Sequence, residues 1–129
     1  MLSIEYLCNI NEKFCMVSIL RDSSNLNIIN YYYQVALNDK DNFLCSAFKI
    51  ACLIKLYQPF CDGNHRTSLV VLNDLLNLKR YKFDLDTALD DIENHTLHLP
   101  LLFTHDEVID DISDYEKYII SRPQTKRLI

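Results

Sequence analysis

The chain is almost without glycine: Gly63 is the only one in 129 residues, where an average soluble domain of this size would hold about nine. Walker-type phosphate loops and dinucleotide fingerprints need several glycines at fixed offsets, so neither can be built here. Gly/Ser linkers, collagen-like repeats and propellers fail for the same reason. Tight hairpins want positive φ, which disfavours a β-rich fold. Prolines number only three, and no hydrophobic run reaches the roughly 18 residues of a membrane helix. No hydrophobic signal segment opens the chain. The five cysteines, Cys8, Cys15, Cys45, Cys52 and Cys61, include no C-x-x-C pair. An odd count without such pairs fits reduced thiols in a cytoplasm better than a disulfide framework.

What is present is apolar residue and acid. Nearly half of the residues are hydrophobic, 49%, enough for one core, and the length suits a single domain over residues 1–129. The net charge of −5 argues against nucleic acid as a direct partner, because phosphate neutralisation wants a basic surface. Residues 84–116 carry eleven acids and no lysine or arginine. This reads as a solvated face or as a docking surface for a basic partner.

Periodicity predicts an all-α fold. Ser3 caps a first helix through Ile4, Leu7, Cys8, Asn11 and Phe14. A short helix around Leu26, Ile28 and Ile29 follows, capped by Ser23 or Ser24. Residues 31–42, YYYQVALNDKDN, combine tyrosines that favour an extended segment with a turn sequence, and could form a small β-hairpin. Residues 43–57 are apolar around almost the whole circumference, as in a central buried helix that Pro59 ends. A second buried helix runs from about His65 to Leu78. Asp86 caps a helix carrying Ala88, Leu89 and Ile92. Thr104 and Glu107 have capping-box spacing for a last helix through Val108, Ile112, Tyr115 and Ile119.

The stretch that carries chemistry is Gln58-Pro59-Phe60-Cys61-Asp62-Gly63-Asn64-His65-Arg66-Thr67, between the two buried helices. The first amides of the second helix have no intrahelical partner, and the positive end of its dipole faces the loop. Gly63 lets the backbone turn through positive φ and approach a ligand closely. The amides around it can cradle a phosphate. A cationic Arg66 in the first turn opposes the dipole, and its planar fork suits a phosphate that would offset that cost. Asp62 beside a phosphate calls for a cation between them, and Mg²⁺ would serve. Asn64 can hydrogen-bond phosphate oxygens or cap the helix. The plain alternative is a connection between helices, with DGN as its turn and Arg66 merely exposed.

This stretch resembles the Fic family motif, H-x-F-x-[D/E]-G-N-[G/K]-R, and from Pro59 to Arg66 departs from it only at His65. Leu20-Arg21-Asp22 and the Leu75–Leu78 stretch with Tyr81 resemble segments of the short Doc-like members. The resemblance implies a compact helical bundle with a flap for the target strand, for which residues 31–42 are the candidate. It implies binding of ATP with Mg²⁺ and transfer of AMP to a hydroxyl of a target protein, or in some Doc-like members transfer of the γ-phosphate. By that resemblance Asp62 holds the metal, Gly63 and Asn64 form the anion cradle with His65 beside them, Arg66 clamps phosphate and Phe60 anchors the loop. A protein target is implied, as is a separate antitoxin chain, with action in the cytoplasm or in a target cell's cytosol and no membrane partner.

Gln58 stands where the family has its catalytic histidine. An amide does not titrate and cannot take the hydroxyl's proton, so the chain is expected to bind nucleotide and react poorly, or to serve as a catalytically dead binding module. His65 replaces the glycine of adenylyl transferases and the lysine of kinase-type members. Leu69 stands where many adenylyl transferases have a second arginine. The family's inhibitory helix, [S/T]-x-x-x-E-[G/N], finds no full match: Glu93-Asn94 has Leu89 in place of the hydroxyl residue. His95 and His98, with Asp91 on the same predicted helical face, are read as solvated rather than metal-binding. Tyr31, Tyr32 and Tyr33 are read as packing with one exposed ring. Cys61 is read as a packing residue, and as a reactive thiol only if exposed.

Overall fold

The computed structural model describes residues 2–123. Residue 1 and residues 124–129 of the single-domain range lie outside it. The elements are α1 (Ile4–Asn11), α2 (Leu26–Asn38), α3 (Phe43–Tyr57), α4 (Asn64–Leu78), β1 (Lys82–Phe83), α5 (Leu85–Glu93), α6 (Ser113–Glu116) and β2 (Ile119–Ser121). The helix-dominated expectation holds. None of the helices is long and apolar enough to cross a membrane among the described residues.

The two central helices form as their composition dictates. In α3, Phe48, Ile50, Ala51, Leu53 and Ile54 are fully buried, and in α4 Leu69, Val71, Leu72, Leu75 and Leu76 are fully buried. The helices pack on each other, with α2 against α3, and with α1 and α5 against α4. Ser3 accepts from the Tyr6 amide at 3.0 Å, the expected cap of α1. The helix ends at Asn11, short of Phe14.

Several local expectations are corrected. Residues 31–38 are helical, part of α2 and continuous with the short helix expected around Leu26, so no hairpin forms at 31–42. Leu26, Ile29, Tyr33 and Ala36 recur at helical spacing and bury one face against the core, which outweighs the tyrosines' preference for strands. The following NDKDN is a turn: Asp39 accepts from the amides of Asp41 and Asn42 and from Ser46 Oγ. Asp84, not Asp86, caps α5, accepting from the Thr87 amide at 3.3 Å. The last helix shrinks to one turn, α6. Glu107 Oε1 does take the Phe103 and Thr104 amides, at 2.7 and 3.1 Å, but no helix follows. Residues 94–112 instead cross the core as an irregular strap that buries Leu97, Leu99, Leu102, Ile109 and Ile112. The connection after Arg80 contains β1, which pairs antiparallel with β2, Phe83 opposite Ile119.

Candidate functional site

The loop between α3 and α4 is built by two left-handed residues. Gln58 closes α3 at φ 44°, its amide still bonded to the Ile54 carbonyl at 2.9 Å, and the chain turns away from the helix axis there. Gly63 opens α4 at φ 75°. The first intrahelical bond of α4 runs from the Thr67 amide to the Gly63 carbonyl at 2.9 Å. The amides of Asn64, His65 and Arg66 therefore lie ahead of the helical ladder, as expected of a helix N-terminus.

Glycine at position 63 is required twice over. A Cβ would meet Asn11 Nδ2 at 2.9 Å and Cys15 Sγ at 3.0 Å, and φ lies where side chains are disfavoured. Gly63→Ala is expected to lower stability by about 1–3 kcal/mol. A urea denaturation curve matching the parent's would show that Asn11 and Cys15 do not crowd this turn.

Four ties hold the loop between those two residues. The Pro59 carbonyl accepts from the Arg21 and Asp22 amides at 2.7 and 3.1 Å, and the Cys61 amide donates to the Ile19 carbonyl at 3.1 Å. Phe60, 1% exposed, sits between these bonds and makes an isolated antiparallel bridge with Leu20. Asn64 clasps the Phe60 backbone: its Oδ1 accepts from the Phe60 amide at 3.0 Å, and its Nδ2 donates to the Phe60 carbonyl at 2.8 Å. From α1, buried Asn11 donates to the Asp62 carbonyl at 2.8 Å and to Thr67 Oγ1 at 3.2 Å. Phe60 is thus a buried anchor, as expected. The Asn64 side chain is spent on bracing the loop, which leaves its backbone amide to face a ligand.

A cleft of about 430 Å³ opens over this loop, lined by Gln58, Cys61, Asp62, Gly63, Asn64, His65 and Arg66 on one side. It therefore gathers every sequence-predicted site residue except Phe60, which lies buried behind the loop. The rest of the lining is Ile92 and Glu93 at the end of α5 and His95 just beyond it. Arg66 is held from two sides: Nη2 is 3.6 Å from Glu93 Oε1, and the guanidinium carbon is 5.9 Å from the centre of the Phe14 ring. The ion pair is partly exposed, so it orients Arg66 more than it stabilises the fold. Asp62 is exposed, and its Oδ1 accepts from the Gly63 amide at 2.8 Å. Desolvation first, and then the charge of Lys55, pull the His65 imidazole below its ordinary pKa and favour its neutral form.

Glu93 and His95 were missed as site residues. The Glu93-Asn94 pair was the available signal, and the absent hydroxyl at Leu89 hid it. His95 lies beyond the end of α5 at φ 59°, so it shares no helical face with His98. No group of three metal-ligating side chains occurs among the described residues. Leu69 is fully buried and takes no part in the cleft. Cys61 is exposed on the cleft wall rather than packed, because its side chain points away from the core that holds Phe60 beside it. No protein-family model, no curated protein and no solved structure matches the chain.

Proposed function

We propose that this chain is a Fic/Doc-type nucleotide-binding protein, built to transfer AMP from ATP to a hydroxyl of a target protein and disarmed at the transfer step by Gln58. The observation that carries this reading is the convergence in one cleft of the chain's only glycine, the free end of α4, the Asp62 carboxylate and Arg66. A polyphosphate would lie against the amides of Asn64 to Arg66, the Gly63 amide being taken by Asp62 Oδ1, with the Arg66 fork on its oxygens. The residues present also fit Mg²⁺. That ion is commonly held by one or two carboxylates together with substrate phosphates, and Asp62 offers one exposed carboxylate with an oxygen left over from its bond to Gly63. Bound there, Mg²⁺ would neutralise phosphate charge. Phe60 and Asn64 keep the loop in shape, and Asn11 fixes it to α1.

The segment that could align a target strand under this reading is Ile19–Asp22, which pairs with the loop, rather than residues 31–42. Glu93 competes with phosphate for Arg66. The same cleft would serve γ-phosphate transfer if the nucleotide lay in the opposite sense.

The direct test is Mg·ATP binding by calorimetry. Arg66→Ala is expected to weaken it about 10- to 100-fold, the cost of a lost charge-assisted hydrogen bond. Glu93→Gln, which frees the arginine, is expected to tighten it by up to about fivefold. Affinity unchanged in Arg66→Ala would remove the phosphate role of that residue, and the proposed site with it.

A further inference from the structure

Two features of the sequence stay outside the nucleotide cleft: the tyrosine run of α2 and the acid-rich stretch after β1. They meet at one groove. Tyr32 and Val35 of α2, Cys45, Ser46 and Lys49 of α3, and Val108 and Ile109 of the strap line a cavity of about 180 Å³. Its lip is apolar and open, with Val35 41% and Val108 81% exposed. The exposed Tyr31 ring stands edge-on to Tyr32 and extends that surface. The wall is held in place: Tyr32 donates to Asp106 at 3.3 Å, and Tyr57 Oη lies 2.9 Å from His105 Nδ1.

The charges around this apolar slot have one dominant sign. Asp106 and Glu107 act on Lys49 at one end, where the ammonium lies 3.9 Å from the centre of the Tyr32 ring. At the other end Cys45 opens onto a trough of about 380 Å³ whose lining includes Asp41, Asp110, Asp111 and Glu116. Asp39 also faces the Cys45 thiol. Among the described residues, the cations beside these seven carboxylates are Lys49, Lys40 and Arg122, and Arg122 is already paired with Glu116 at 3.0 Å. Carboxylates thus outnumber cations among the described residues of this rim.

We propose that this groove docks a basic segment of a partner protein, with one apolar side chain seated between Val35, Val108 and Ile109 and lysine or arginine residues lying over the trough. Charge complementarity selects this occupant. A second copy of this chain would bring its own net charge of −5 to a negative rim. The apolar slot supplies contact area, and the carboxylates supply orientation and a faster encounter. Nothing in this assignment depends on nucleotide binding.

The test uses the intact chain and short synthetic peptides that alternate lysine with leucine, glutamate with leucine, or lysine with serine. Binding is followed by amide chemical shifts and fluorescence anisotropy. The lysine–leucine peptide is expected to shift Val35, Cys45, Ser46, Lys49, Val108 and Ile109, and to bind about tenfold more weakly when sodium chloride is raised from low to physiological strength or above. The other two peptides are expected to bind far more weakly. Val108→Ser, at a side chain too exposed to matter for folding, is expected to weaken the lysine–leucine peptide about tenfold. Asp41→Lys/Asp110→Lys is expected to do the same through charge. Three results would overturn the proposal. One is equal binding of the glutamate–leucine peptide. Another is shifts confined to other surfaces. The third is concentration-dependent dimerisation that Val108→Ser abolishes, which would give the groove to a second copy.

Discussion

Gln58→His is expected to raise group transfer from ATP to a protein acceptor by about 10²- to 10⁴-fold, the usual contribution of a general base. The backbone accepts the change. Residue 58 already sits at φ 44°, where histidine is among the better tolerated residues, and its side chain is exposed on the cleft. Asp62, Gly63 and Arg66 line the same cleft and are untouched by the substitution. What changes is titration. The glutamine amide cannot accept a proton, whereas an imidazole with an ordinary pKa of about 6.5 is a base at neutral pH.

The expected chemistry balances. The target hydroxyl oxygen forms a bond to the α-phosphorus, the bond to the β-bridging oxygen breaks, pyrophosphate departs, and the hydroxyl proton passes to the imidazole at position 58. The rate should therefore rise with pH through the imidazole's pKa and then level. ATP labelled at the α- or the γ-phosphate, given with a lysate, reads the outcome. Label from the α position is AMP transfer. Label from the γ position means phosphate transfer with the nucleotide reversed. Absence of both, with Mg·ATP still bound by Gln58→His, would reject the transferase reading and leave a binding module. Adding Arg66→Ala to Gln58→His should abolish the gain, because both side chains line the same cleft and the proposed reading gives them one substrate.

How far the chain could be read in advance depended on whether a signal was local or tertiary. The loop was legible because its requirements are local: a single glycine beside an acid and an arginine, between two segments too apolar to lie anywhere but the core. Both central helices follow from composition alone. The tyrosine run misled because strand preference is a weak prior, and Leu26, Ile29, Tyr33 and Ala36 bury a helical face that it does not describe. Thr104 and Glu107 misled in the opposite way. Their capping contact forms, yet Val108 behind it is exposed, and the chain beyond runs as an irregular strap that buries Ile109 and Ile112 before the single turn of α6. A capping contact is worth only about 1 kcal/mol and does not by itself nucleate a helix. Glu93 and Asn11 reach the loop from distant parts of the chain, and no local pattern reports such contacts.

Phe60→Ala is expected to cost about 3–5 kcal/mol of folding stability, as for a fully buried aromatic ring. For a domain with the usual total of about 5–15 kcal/mol, that is at least about a fifth, and it corresponds to a fall of roughly 10–20 °C in melting temperature. Cys61→Ser next door, at an exposed side chain, should change stability by less than about 0.5 kcal/mol. The contrast tests whether the loop is held by its buried ring or by its backbone bonds alone. The Asn64 clasp and the bonds from Arg21, Asp22 and Cys61 involve only the backbone at positions 59–61, so they survive the truncation in principle. A loss below about 1 kcal/mol would assign the anchoring to those bonds. A loss in the expected range, with weaker Mg·ATP binding at temperatures where the variant is still folded, would show the ring setting the shape of the anion cradle. Phe60 touches no part of the cleft, so it reaches a ligand only by fixing where Pro59 and Cys61 can lie, and through them the turn at Gly63.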